Sequence, residues 1–322
     1  MEKKYYHDHL LKVYQESFRN NWDLPALTEY GADEVLSYGE MARRIARFHL
    51  FFKQIGLKHG DKVALLGKNS STWVMCFMAT ITYGATIVPI LSDFNPRDAQ
   101  HIINHSEATL LFVSNQLWET YDFDRMPALK AAISLETRHV LAERSEKGEQ
   151  PVERIIRNIS RRFRSIYKAG FNPADIVYPE VDKDATAVLN YTSGTTGFSK
   201  GVMLSYDNLL GNVMFGVRSR LHYEGSRALS FLPLAHAYGC AFDMLVPLAV
   251  GTFVTLFGKT PTPRLLLAAM AQVKPNLVIC VPLILEKIYR KQIVPMITRR
   301  AMRWALAVPL IDGAIYAKIR NK

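Results

Sequence analysis

The feature that most constrains this chain is the alternation of helix-period and strand-period segments through its first half. Apolar residues recur at helical spacing from His9 to Phe18 and again from Tyr38 to Ile55, where Gly56 stops the second run. Behind it Asp61 to Gly67 reads as a short apolar strand ended by glycine, and Asn69-Ser70-Ser71 offers caps for a following helix. The stretch from Asn69 to Ser92 carries no charge, yet Gly84 and Pro89 divide it into a helix over 72–83 and a strand over 85–91 rather than one membrane span. A helix over 98–106 and a strand over 108–113 continue the pattern. Strands separated by helices need crossover connections, so the pattern predicts an α/β fold with a largely parallel sheet.

A length of 322 residues suits two α/β lobes. The expected division is 1–180, with a basic helical insertion near 140–172, and 181–322. In the insertion Ile155, Ile156, Ile159, Phe163 and Ile166 recur at helical spacing among arginines. Such a helix either docks its apolar stripe on the protein body or lies against a membrane surface, and the sequence leaves both open. The second half restarts with a strand over 186–191 and continues through strands at 253–257 and 277–281. The segment 313–322 has a helical pattern with no obvious closing element, so truncation is expected.

The net charge of +11 favours polyanionic company: nucleotides, CoA, an acidic membrane surface or nucleic acid. No helix-turn-helix, zinc-finger or RNP-like pattern accompanies the basic residues, which argues against nucleic acid. Cys76, Cys240 and Cys280 are odd in number and sit among apolar neighbours, as reduced core cysteines do. The first residues lack the apolar core of a secretory leader, so a cytoplasmic location is expected, with or without membrane association.

Chemistry is concentrated in Thr192-Ser193-Gly194-Thr195-Thr196-Gly197-Phe198-Ser199-Lys200-Gly201, between a strand and the apolar run 202–204. Glycines let main-chain N–H groups approach a polyanion, and the hydroxyls and one ammonium can surround phosphate oxygens. A Walker A loop needs glycine before its lysine and Ser or Thr after it; Ser199 and Gly201 occupy those places here. Lys200 also leads into a strand, so this is a different kind of phosphate loop. His236, between apolar segments, reads on its own as either a satisfied core residue or a functional one.

The ordered string YTSGTTGFSKGVML resembles the acyl-adenylate-forming superfamily, which includes acyl-CoA synthetases, peptide-synthetase adenylation domains and beetle luciferases. Phe231-Leu232-Pro233-Leu234-Ala235-His236-Ala237-Tyr238-Gly239 is similar to a later family segment. Lys274-Pro275-Asn276-Leu277 with Val281 to Tyr289 is similar to long-chain fatty-acid CoA ligases in particular. Leu36 to Glu40 and Gly60 to Ala64 resemble the family's opening. Ser199 departs from a usual proline and Tyr206 from a frequent histidine.

The resemblance implies a layered αβαβα N-terminal domain with two sheet-containing lobes, truncated on its C-terminal side. It implies fatty acid, ATP and CoA as substrates, with Mg2+ accompanying ATP. Thr192, Ser193, Gly194, Thr195, Thr196, Gly197 and Lys200 would hold the nucleotide, with Thr196 near the metal and Lys200 and His236 in the chemistry. His236, Tyr238 and Gly239 would meet the acid, beside an apolar wall of Phe231, Tyr238, Phe242 and Met244. The family's later Tyr-Gly-x-Thr/Ser-Glu and Thr-Gly-Asp segments and its mobile C-terminal domain are not found before Lys322. The expectation is therefore a piece incomplete for catalysis. An acyl carrier protein as acceptor, or an inactive nucleotide- or lipid-binding protein, stand as alternatives.

Overall fold

The computed structural model describes residues 6–145, 148–192 and 200–297. Along the chain the strands are β1 (Pro25–Glu29), β2 (Val35–Ser37), β3 (Lys62–Leu66), β4 (Thr86–Ile90), β5 (Leu110–Val113) and β6 (Ala131–Ser134). They continue with β7 (Val140–Glu143), β8 (Thr186–Thr192), β9 (Lys200–Ser205), β10 (Arg227–Ser230) and β11 (Phe253–Leu256). Among the described residues they form a seven-stranded sheet, β7-β6-β5-β3-β4-β8-β9, and a four-stranded one, β10-β11-β1-β2. From β6 to β8 the larger sheet is parallel, and its edge strands β7 and β9 are antiparallel.

Local chemistry sets the helices. α1 (Leu10–Asn20) buries Leu10, Val13, Tyr14 and Phe18. α2 (Tyr38–Gln54) starts in a reciprocal cap: Ser37 Oγ accepts from Glu40 N at 3.1 Å, and Glu40 Oε2 accepts from Ser37 N at 2.9 Å. α3 (Ser71–Tyr83) is capped by Ser70, whose hydroxyl accepts from Trp73 N at 3.1 Å, and it ends at Gly84 in the left-handed region, φ +92°. Every residue of α3 from Trp73 to Thr82 is buried, because the helix packs on β3 and β4 on one side and on β1 on the other. Its lack of charge thus reflects burial between two sheets. Among the described residues, no helix is long and apolar enough to cross a membrane. Truncating a fully buried side chain in this layer, such as Phe77, costs about 3–5 kcal/mol.

Strand alternation then builds the outer layers. Val63, Leu65 and Ile87 face α2 and α3, while Ala64, Leu66, Val88 and Ile90 face Ala99, Ile102 and Ile103 of α4 (Pro96–His105). In the smaller sheet Ala228, Val254 and Leu256 join the central core, and Leu229 and Phe257 pack with Leu266 and Ala269 of the helix Pro263–Val273. The result is the expected αβαβα layering. Both sheets draw strands from either side of residue 180: β8 and β9 complete the sheet of β3 to β7, and β1 and β2 complete the sheet of β10 and β11. The expected strand over 277–281 is reduced to one parallel bridge, Leu277 with Ala228.

A one-turn helix α5 (Asn115–Trp118) follows β5, and the basic helix is α6 (Val152–Ile166). Val152, Ile155 and Phe163 are buried against α2, while Arg154, Arg157, Arg161, Arg162 and Arg164 are exposed. Most of the apolar stripe is therefore spent on the protein body; Ile166 at its end is exposed. α7 (Tyr206–Arg218) begins at Ser205, whose hydroxyl accepts from Asn208 N at 3.2 Å. Cys76 and Cys240 are buried free thiols, and Cys280 is partly exposed. The helical pattern expected over 313–322 lies outside the described residues.

Candidate functional site

β8 and β9 form an antiparallel hairpin whose last pair is Thr192 with Lys200. Both residues are exposed at its open end, and Lys200 has no ion-pair partner among the described residues. Ser193, Gly194, Thr195, Thr196 and Gly197 connect the two strands and lie outside the described residues. The hairpin is anchored from below. Tyr191 is buried, and its hydroxyl lies 2.7 Å from His105 Nδ1 at the end of α4. Gly201 packs opposite it: a Cβ there would come within 3.1 Å of Leu189 and 3.3 Å of the Tyr191 ring.

The segment carrying His236 leaves the carboxyl end of β10 and is clamped by two side chains. Asn69 donates through Nδ2 to Leu232 O at 2.7 Å and accepts through Oδ1 from Leu234 N at 3.0 Å. The buried Asp243 accepts from Leu232 N at 3.3 Å. Burial pushes the Asp243 carboxyl up to about 7, against the lowering effect of the Leu232 and Phe231 N–H groups and the Ser230 hydroxyl. A third bond joins this segment to the hairpin: Asn190 Nδ2 donates to Ala235 O at 3.2 Å. Asn190 precedes Thr192 by two residues and Ala235 precedes His236 by one, so the end of the hairpin and the histidine turn share one rim.

His236 is exposed. Its N–H donates to Pro233 O at 3.0 Å, and its Nδ1 accepts from Tyr238 N at 3.4 Å. With Nδ1 as acceptor, the neutral ring carries its proton on Nε2. Gly239 is buried where a Cβ would stand 2.5 Å from Pro233 O, so its hydrogen side chain is what lets the helical turn close on the segment before it. Tyr238 is 41% exposed with its ring 5.4 Å from that of Phe242, and Phe242 lies 6.3 Å from the exposed Phe215 of α7. The expected apolar wall is thus partly different. Phe231 packs with Phe257 and Leu266, and Met244 is in the central core, while Phe215 extends the Tyr238–Phe242 ring series.

Beside this rim is a cavity of about 120 Å³ at the carboxyl ends of two parallel strand pairs, one from each sheet. Gly67 and Asn69 follow β3, Ser92 follows β4, Phe231 and Ala235 follow β10, and Lys259 follows β11. Open α/β sheets bind ligands in such a crevice, where loops diverge from strand ends. No group of three or more His, Cys, Asp or Glu side chains suited to a metal ion exists among the described residues. Thr196, the expected metal neighbour, lies outside them. Asn69, Asn190 and Asp243 escape a reading by sequence alone. Asp243, one carboxylate inside the apolar run 240–246, leaves a visible trace there, whereas the two asparagines leave none.

Comparison with known proteins shows a family and a fold. The family profile described as AMP-binding enzyme matches residues 14–307. Over 263 residues the chain is 26% identical to a long-chain-fatty-acid–CoA ligase of Salmonella typhimurium, covering 75% of this chain and 45% of that protein. The human long-chain-fatty-acid–CoA ligase ACSBG1 is 26% identical over 329 residues, covering 93% of this chain and 42% of that protein. The chain therefore spans less than half the length of these relatives. Among solved structures, the inhibitor-bound N-terminal domain of FACL13 from Mycobacterium tuberculosis shares the fold, with a TM-score of 0.71 at 18% identity over 89% of this chain and 66% of that one.

Proposed function

The chain belongs to the AMP-binding enzyme family, and from that membership we propose that it forms the nucleotide- and acid-binding part of a fatty-acid CoA ligase. The observation that carries this reading is the Asn190–Ala235 bond, which ties the Thr192/Lys200 hairpin end to the His236 turn at the carboxyl ends of the parallel strands. A long-chain acid as substrate is supported by what the relatives' names say they act on and by the ring series of exposed Tyr238, half-buried Phe242 and exposed Phe215 that begins two residues after the histidine.

In the proposed reaction a carboxylate oxygen of the acid attacks the α-phosphorus of ATP, the bond to the bridging oxygen breaks, and pyrophosphate leaves. Negative charge gathers on the leaving oxygens. The Lys200 ammonium, the Thr192 hydroxyl and the donors of the connecting segment offset that charge, since transfers at phosphorus depend on positioning and fixed electrostatics. His236 offers its Nε2 proton to the acid's carboxylate and orients it, while Tyr238 and its ring neighbours cover the adjoining chain. A CoA thiolate then attacks the acyl carbonyl and AMP departs. Magnesium would enter with ATP and offset charge on its phosphates; the described residues supply no cluster of three or more His, Cys, Asp or Glu for it.

The test is the rate of acyl-AMP formation in the longest natural form of the chain. Lys200→Ala should slow it by roughly 100-fold or more, the usual loss when one fixed electrostatic donor is removed. Unchanged turnover would take the hairpin out of the mechanism.

A further inference from the structure

A second cavity, of about 280 Å³, lies between α2, α3, α6 and the ends of β5 and β6. Phe48, Phe51, Met75, Phe112, Ile133 and Ile159 contribute apolar walls. Arg44, Arg47 and Arg138 also line it, and none of its residues lines the cavity beside His236. Arg44 is paired with Glu34. Neither Arg47 nor Arg138 has an ion-pair partner among the described residues, and Arg47 Nε is buried with no hydrogen-bond partner.

Arg47 is held in this position by packing, its guanidinium 5.1 Å from the Phe163 ring centroid of α6. Burial, then the like charges of Arg44, Arg164, Arg43 and Arg138, lower its pKa, so the site gathers positive charge without a carboxylate to balance Arg47. A buried donor without an acceptor is costly, and an anion at this point would satisfy it and relieve the mutual repulsion. Apolar walls with a few polar groups are the usual lining of a small-molecule site, and about 280 Å³ lies just below the ~300–1,000 Å³ typical of drug-sized ligands. One acyl chain of moderate length fits that space; two do not.

We propose that this cavity is an accessory site for a single-chain fatty carboxylate, with the carboxylate between Arg47 and Arg138 and the chain among Phe51, Met75 and Phe112. It is separate from the adenylation cleft and does not depend on the reaction proposed there. Charge complementarity selects the head group and the apolar walls select the tail.

The test is photo-labelling of the purified chain with decanoate bearing a terminal diazirine, followed by peptide mapping. Label is expected on the peptides that contain Phe51, Met75 and Phe112, where the end of the chain would lie. Decanoate should displace it at least about tenfold better than decanol, since hydrogen bonds to charged groups are the stronger kind. Arg47→Gln and Arg138→Gln should each weaken labelling by about tenfold, while His236→Ala, which alters the other cleft, leaves it in place. A folding defect in Arg47→Gln is separated by thermal denaturation. Decanoate should raise the melting temperature of the wild type and of His236→Ala, and fail to raise that of a folded Arg138→Gln. Labelling that is absent, confined to 231–245, equally displaced by decanol or indifferent to both arginine substitutions would overturn the proposal. Co-sedimentation with phosphatidylglycerol vesicles that is lost in Arg47→Gln, without decanoate labelling, would assign the arginines to a membrane surface and likewise overturn it.

Discussion

Replacing Asp243 by Asn should change how stability depends on pH. The carboxyl is 3% exposed and is held up to about 7 by burial, against an ordinary value of 3.8. Between those values the folded protein keeps a proton that the unfolded chain has lost, so this group's contribution falls as pH rises from about 4 to 7 and is flat above. At about 1.36 kcal/mol per pH unit, raising pH from 5 to 8 should cost the wild type about 2.5 kcal/mol through this side chain alone. Asn keeps a carbonyl oxygen to accept from Leu232 N but has no charge to desolvate. Urea unfolding at pH 5 and pH 8, followed by the fluorescence of the four tryptophans, measures both proteins. The wild type should lose about 2.5 kcal/mol more than Asp243→Asn over that interval. Equal losses would refute the assignment of a buried, protonated carboxyl behind the His236 segment.

Three further substitutions test the same rim. Gly239→Ala places a methyl 2.5 Å from Pro233 O and should cost about 1–3 kcal/mol of stability in the same unfolding assay, with a weaker response of acyl-AMP formation to added acid. Asn69→Ala unpairs Leu232 O and Leu234 N together and should cost about 2 kcal/mol, while Asn69→Asp, which keeps an acceptor for Leu234 N but sets a carboxylate oxygen against Leu232 O, should cost at least as much.

Much of the layering is legible because it depends on short-range chemistry. The Ser37–Glu40 cap, the Ser70 cap, Gly84 in the left-handed region and the period-two burial of β3 and β4 are each encoded within a few residues. The smaller sheet is different. Its strands are three to five residues long, and Leu27 pairs with Val254 from the far end of the described chain, so nothing local reveals which sheet β1 and β2 join. The same holds at the site. Thr192 and Lys200 are recognisable from composition and order, but the roles of Asn69 and Asn190 exist only once distant backbone carbonyls reach them. The sequence also suggests a wall of four apolar side chains beside His236. Packing instead places Met244 in the central core and Phe231 against Phe257 and Leu266 at the edge of the neighbouring cavity, and Phe215, from a helix with no family motif, joins the Tyr238–Phe242 rings.

The most direct test of the account is a crystal structure of the longest natural form of the chain bound to a non-hydrolysable ATP analogue. The triphosphate should lie at the open end of the β8–β9 hairpin, with the Lys200 ammonium within hydrogen-bonding distance of its oxygens and its α-phosphorus turned toward His236. A triphosphate bound away from that hairpin, leaving Lys200 and Thr192 in solvent, would contradict it.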